Sequence, residues 1–183
     1  MRLADAVTII RTLLIFPVVY LIMIKYDPAV TLFIFILMFA MDGFDGWLAR
    51  REVVKRGLAP SKYGARFDIA GDRITEYSFW VLFTVLGIIP FFVIFIIIIR
   101  HSFADAFTSA SGKTFSNMRT AFGRIAYNHV SRGLINILKF VTFFYLALEY
   151  IYSWPLTAGY ILTALLVGYI CLRGLAEVYE SVA

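Results

Sequence analysis

Long apolar runs punctuated by proline decide which solvent this chain can fold in. Six stretches, 6–24, 29–48, 67–89, 91–107, 133–154 and 156–171, read as candidate spans, and a helix needs about 20 apolar residues to cross a bilayer's hydrocarbon layer. Pro28, Pro90 and Pro155 fall between these stretches, where a residue that cannot donate a backbone hydrogen bond does least harm. With 61% of its 183 residues hydrophobic, the chain exceeds the roughly 45–50% apolar content of soluble domains. The pattern predicts an all-α integral membrane protein with six transmembrane helices, forming a single membrane domain over residues 1–183.

Charge orients those helices. The proline-marked turns are short, whereas the connections 49–66 and 108–132 are longer and lie, with both chain ends, on the opposite side. Of the 17 Lys and Arg, only Lys25 belongs to the tight-turn side, and such a bias directs the basic side to the cytoplasm during insertion. Both termini are therefore expected inside, in the cytoplasmic membrane. Anionic headgroups account for the net charge of +5 without nucleic acid as a partner. The segment after Met1 superficially resembles a signal peptide but lacks a convincing cleavage site, so it is expected to be retained. Cys171 has no partner in its own chain, which excludes an internal disulfide framework. The stretch 108–129, rich in Ser, Thr, Asn and Gly, reads as a flexible basic loop. Trp80, Trp154 and many phenylalanines are expected at the interfaces or against lipid.

Carboxylates occur where hydrocarbon should exclude them. An ionisable group in a span costs about 2.5–3.5 kcal/mol on insertion scales and usually faces a polar cavity with a function. The second stretch ends in Asp42-Gly43-Phe44-Asp45-Gly46-Trp47-Leu48-Ala49-Arg50. At about 100° per residue, Asp42, Asp45, Gly46 and Ala49 share one helix face. The third opens with Gly64, Asp68 and Asp72 at successive four-residue steps, and Glu76 continues the row. Because these helices are consecutive, both acidic stripes are expected at the cytoplasmic end, where the small residues Gly46, Ala49 and Gly64 permit close approach.

Four converging aspartates need countercharge. Hard divalent cations with oxygen ligands supply it, and two such ions about 3.5–4 Å apart can clamp a diphosphate. Magnesium or manganese fits better than zinc, because His101 and His129 are isolated and no Cys-His group competes. The bland alternative is that the aspartates cap helices or pair with Arg50, Arg66 and Arg73.

These residues resemble the CDP-alcohol phosphatidyltransferase family, whose signature reads D-x-x-D-G-x-x-A-R, a gap, then G-x-x-x-D-x-x-x-D. The chain supplies Asp42, Asp45, Gly46, Ala49, Arg50, Gly64, Asp68 and Asp72. One departure is the gap of residues 51–63, which is longer than the family's usual one. The resemblance implies that Asp42, Asp45 and Asp68 hold metal ions. Asp72 would ligate the second ion and act as the catalytic base for the acceptor hydroxyl. It also implies that Gly46, Ala49, Arg50 and Gly64 line the cytidine diphosphate pocket, with a homodimer as the assembly. The implied reaction moves a phosphatidyl-type group, diacyl or archaeal dialkyl, from a CDP-activated lipid to a small alcohol and releases CMP. The active site would face the cytoplasm.

The acceptor is read from weaker signals. Thr8, Arg11 and the following Phe16-Pro17 are similar to a pattern of phosphatidylglycerophosphate synthases within the family. Arg100, Lys113, Arg132 and Lys139 could gather an acceptor's phosphate, with Arg100 and Arg132 favoured at span ends. Glycerol 3-phosphate is the first expectation and inositol 1-phosphate the second. Outside the family, a membrane prenyltransferase also pairs aspartates with magnesium, and a membrane metal-ion transporter also carries intramembrane carboxylates.

Overall fold

The computed structural model describes residues 3–41, 64–111, 120–126 and 128–182. Every regular element among them is an α-helix: α1 (Leu3–Met23), α2 (Pro28–Met41), α3 (Gly64–Val85), α4 (Phe92–Ser111), α5 (Ala121–Ala126), α6 (His129–Tyr152) and α7 (Leu156–Val182). Three are long and apolar enough to cross a membrane by composition, over Ala6–Met23, Val130–Tyr152 and Leu156–Val182. α3 and α4, of 22 and 20 residues, occupy two further expected spans, and both interrupt their apolar runs with ionisable side chains. α2 is described over the first part of its expected span.

Local chemistry sets the helix ends. α1 stops at Lys25, which adopts φ 50, while the Tyr26 N–H donates back to the Leu21 carbonyl at 3.0 Å. Asp27 then starts α2, its Oδ1 accepting from the Ala29 and Val30 amides at 2.9 and 3.1 Å. Pro28 follows at the first helical position, where its missing N–H costs nothing. At α6, the Asn128 side chain accepts from the Ser131 amide at 2.6 Å, satisfying one of the donors a helix start leaves open. Ser153 ends that helix in the left-handed region, and its N–H closes onto the Glu149 carbonyl.

The helices form two compact units. The first comprises residues Met1–Leu86 with Tyr150–Tyr152. On α1, Thr8, Arg11, Ile15, Val18 and Ile22 are all buried, and their alternating three- and four-residue spacing makes one continuous stripe. This stripe packs along α3, with the two helices running in the same direction. Phe35 and Phe39 of α2 meet Phe79 of α3 with ring centroids 5.2 and 5.9 Å apart. Trp80 is fully buried beside them. The expectation that Trp80 faces lipid or an interface is thus corrected, because its position on α3 turns it into the helix-packing core. A groove of about 510 Å³ lies between α1 and α3, lined almost wholly by apolar side chains such as Phe16, Val19 and Val81. Lys25 lies 4.5 Å from the ring centre of Tyr150, a cation–π contact.

The second unit comprises Gly87–Glu149 and Ser153–Ala183. Here α4 packs along α7, and α5 rests against α7. Two expectations change. The last helix does not stop at Cys171 but continues to Val182, because Gly174, Glu177 and Glu180 supply packing and polar contacts that hold its end. The expected loop 108–129 is partly helical, with α4 running to Ser111 and α5 spanning Ala121–Ala126. His101 of α4 is 2% exposed.

Both units bury several charged side chains beside their apolar cores while leaving large apolar side chains exposed. Arg11, Glu76, His101, Glu149, Arg173, Glu177 and Glu180 are buried, whereas Phe16, Phe33, Val85, Phe91 and Leu175 are exposed. Lipid explains this, since it solvates apolar side chains and makes polar groups seek the helix bundle.

Close packing at α6 and α7 gives a test. A Cβ at Gly159 would collide with Oε2 of Glu149 and lie 3.0 Å from Cδ2 of Leu146, whereas one at Gly168 meets nothing within 4 Å. Gly159→Ala is expected to lower stability by about 1–3 kcal/mol through overpacking. Gly168→Ala should instead be neutral or slightly stabilising, as helix propensity dictates. Thermal unfolding in detergent measures both.

Candidate active site at the start of helices α1 and α3

The described part of the acidic constellation lies in the first unit. Asp68 and Asp72 are the fifth and ninth residues of α3, and Gly64 is its first. Their spacing puts both carboxylates on one face, a turn apart, as the sequence predicts. Both remain about half-exposed, with side-chain values of 51% and 46%.

Arg11 of α1 reaches across to them. Its Nη2 lies 2.9 Å from Oδ1 of Asp72 and 3.6 Å from Oδ1 of Asp68, and only 4% of its side chain is exposed. A buried guanidinium is thereby held against two carboxylates that open to their surroundings. Both ion pairs run from Nη2, and opposite charges held this close at a partly buried position attract more strongly than they would in bulk water.

Small and hydroxyl side chains make the approach possible. A Cβ at Gly71 would sit 2.8 Å from Thr12 Oγ1, 3.2 Å from Arg11 Nη2 and 3.3 Å from Thr8 Cγ2. Only a glycine lets α3 come this close to α1. Thr12 turns its hydroxyl inward to the Thr8 carbonyl at 2.8 Å, so it presents little polar bulk to the crossing. Of the residues that the sequence tied to the acceptor pattern, Arg11 meets Asp68 and Asp72 directly, and Thr8 lies beside Gly71 at the crossing.

The sequence missed this pairing because it sought partners for the aspartates among nearby arginines. The usable signal was Arg11's place on the buried α1 stripe. A cation on an otherwise apolar or hydroxyl-bearing inward face has to meet an anion. Glu76 continues the row at the next four-residue step of α3. It is 2% exposed, and the Trp80 indole N–H points to its Oε1 at 3.5 Å. The acidic face thus grades from half-open at Asp68 and Asp72 to closed at Glu76.

Asp42, Asp45, Gly46, Ala49, Arg50 and Lys113 lie outside the described residues. Among those described, no group of three or more His, Cys, Asp or Glu could hold a metal ion. Asp68 and Asp72 offer hard oxygen donors on an accessible face, the donor chemistry that magnesium and manganese take. They fit such an ion as part of a ligand set rather than as a whole one.

The basic residues assigned to an acceptor lie in the second unit. Arg100 is largely buried, its Nε donating to the Ile170 carbonyl at 3.0 Å and its Nη2 lying 3.2 Å from Oε2 of Glu177. Arg132 is exposed and Lys139 half-buried, both on α6. Arg173, which sequence reasoning used only for topology, is buried, donates to the Ser131 carbonyl at 3.1 Å and lies within electrostatic reach of Arg100 and Arg132.

An apolar helical chain with paired, accessible aspartates at a helix start defines a membrane protein with an acidic site. Comparison with protein families identifies it further: residues 1–172 match CDP-alcohol phosphatidyltransferase, and the chain belongs to that family. Its activity is accordingly a transferase reaction of phospholipid synthesis that uses a CDP-alcohol lipid and an alcohol acceptor. No curated protein matches the chain significantly.

The α1–α3 crossing is testable by one methyl group. Gly71→Ala should destabilise the protein by about 1–3 kcal/mol, the usual cost of overpacking. It should also lower transferase activity by displacing Arg11. Unfolding midpoints and initial rates on the same preparation check both effects.

Proposed function

We propose that the protein transfers a phosphatidyl-type group from a CDP-lipid to glycerol 3-phosphate and releases CMP at the cytoplasmic face of the cell membrane. The observation that supports this most is the pair Asp68 and Asp72, a turn apart and half-exposed, with Arg11 fixed against them. The same reading has six membrane-crossing helices, both termini in the cytoplasm, and a homodimer.

In the proposed reaction the acceptor hydroxyl oxygen forms a bond to the lipid-bearing phosphorus. The bond from that phosphorus to the bridging oxygen breaks, and CMP leaves with the electron pair. Asp72 takes the hydroxyl proton through a carboxylate oxygen, and its accessible face suits that contact. Arg11 orients the Asp72 carboxylate, so that the base does not swing away between turnovers. Gly46, Ala49, Arg50 and Gly64 bind the cytidine diphosphate, the small residues admitting the base and Arg50 meeting phosphate oxygens. Two magnesium or manganese ions held by Asp42, Asp45, Asp68 and Asp72 would offset the diphosphate's charge. Arg100, Lys113, Arg132 and Lys139 attract the acceptor's phosphate.

Purified protein incubated with a CDP-lipid and a panel of alcohols tests the reading. CMP should form with glycerol 3-phosphate, and a chelator should stop it until magnesium or manganese is restored. Formation with inositol 1-phosphate instead would change the acceptor and keep the chemistry. Absence of CMP with every alcohol would refute the transferase reading. Asp72→Asn should lower turnover by about 10²–10⁴-fold, the range for loss of a general base, while CDP-lipid still binds. Near-normal turnover would remove Asp72 from that role.

Orientation has its own check. In a Cys171→Ser background, an impermeant maleimide should label Tyr26→Cys on intact cells and Val182→Cys only after permeabilisation. The reverse pattern would invert the assigned topology.

A further inference from the structure

The last three turns of α7 carry an unusual density of polar contacts for a helix end, and all lie beyond the residues that match the family. Gly174 is the centre. A Cβ there would sit 2.6 Å from Arg100 Nε and 2.7 Å from its Cγ, so the Arg100 side chain lies directly across the α7 backbone. The Ile170 carbonyl holds it from one turn before Gly174, and Glu177 holds it from one turn after. The guanidinium is therefore fixed in direction as well as in place.

One turn further on, Glu180 does the same for a different element. Its Oε2 accepts from the Thr120 amide at 3.0 Å and from the Thr120 hydroxyl at 2.5 Å. The same Thr120 hydroxyl oxygen accepts from the Gly123 amide at 3.0 Å and so starts α5. Glu180 is 3% exposed, and a buried carboxylate with two donors converging on one oxygen is a directional tie rather than a surface contact. Arg173 completes the set by reaching the Ser131 carbonyl at the start of α6.

We propose that the end of α7 positions the acceptor-binding side of the enzyme, with Glu177 aiming Arg100 and Glu180 docking the Thr120 start of α5. The two glutamates touch no substrate. They act through the elements they hold: α4, which carries Arg100, and α5, which Thr120 starts. This rests on the assignment of those basic residues to the acceptor's phosphate. It adds that the setting of that side comes from a helix end outside the family-matched residues. A tether of this kind alters how an acceptor is held.

The test uses the full-length protein in detergent, with hydrogen exchange of the peptide containing residues 120–126 and steady-state kinetics. Glu180→Ala should speed exchange of that peptide and raise the acceptor KM about tenfold, the scale of losing a buried charge-assisted contact. The donor KM and kcat should stay within about twofold, as expected for an effect confined to one substrate. Thr120→Val should shift the same quantities in the same direction, and the double variant should be no worse than the stronger single one, because both remove one tie. Glu180→Gln, which keeps an acceptor oxygen, should restore most of the acceptor KM. Unchanged exchange in both single variants would overturn the docking role. Faster exchange with an unchanged acceptor KM, or an equal loss in every kinetic parameter, would reduce the glutamates to structural residues and overturn the positioning role. If the wild-type protein releases no CMP with any alcohol, the functional assignment itself fails, and exchange still reports whether Glu180 docks α5.

Discussion

The contact between Arg11 and the carboxylates of Asp68 and Asp72 is the constraint on which the first unit depends. In hydrocarbon, neither an isolated guanidinium nor an isolated carboxylate is tolerable, so each justifies the other's presence within its helix. Because Arg11 is buried while the two aspartates are half-open, the pair does more than neutralise charge. It leaves carboxylate oxygens facing outward from a fixed platform. Gly71 is the steric condition for that arrangement, since any larger side chain would separate the helices where the charges have to meet.

The second unit solves a related problem with different parts. Its buried charges are tied across helices by Arg100 with Glu177 and by Glu180 with Thr120. The driving force for helix association in lipid is packing and polar contact rather than expulsion of water. Glycines at 159 and 174 let side chains from neighbouring helices lie against the α7 backbone. Polar residues then fix which helix meets which.

The parts of this architecture legible in the sequence were those with a local period. Apolar runs and prolines located the helices, and the four-residue spacing placed Asp68 and Asp72 on one face. What escaped were interactions between residues distant in the chain. Trp80 read as interfacial or lipid-facing because amphipathic side chains favour that zone; only the packing of its helix shows it buried. Arg11 read as part of an acceptor pattern, and nothing local reveals that it crosses to α3. The extension of α7 past Cys171 was hidden because Arg173, Glu177 and Glu180 lower its apolar character. Those residues are the ones that anchor it.

The stripe of Thr8, Arg11, Ile15, Val18 and Ile22 has a charge at one end and hydrocarbon along the rest, which makes α1 a measuring rod against α3. A slip of α1 by one turn toward the start of α3, about 5.4 Å, would carry the guanidinium away from its anions and bring an isoleucine up to them. Uniformly apolar helices could settle into several such alignments of nearly equal energy. Here a single cation penalises any alignment that carries it off the acidic row of α3, which narrows the vertical registry of the two helices before their finer packing is complete.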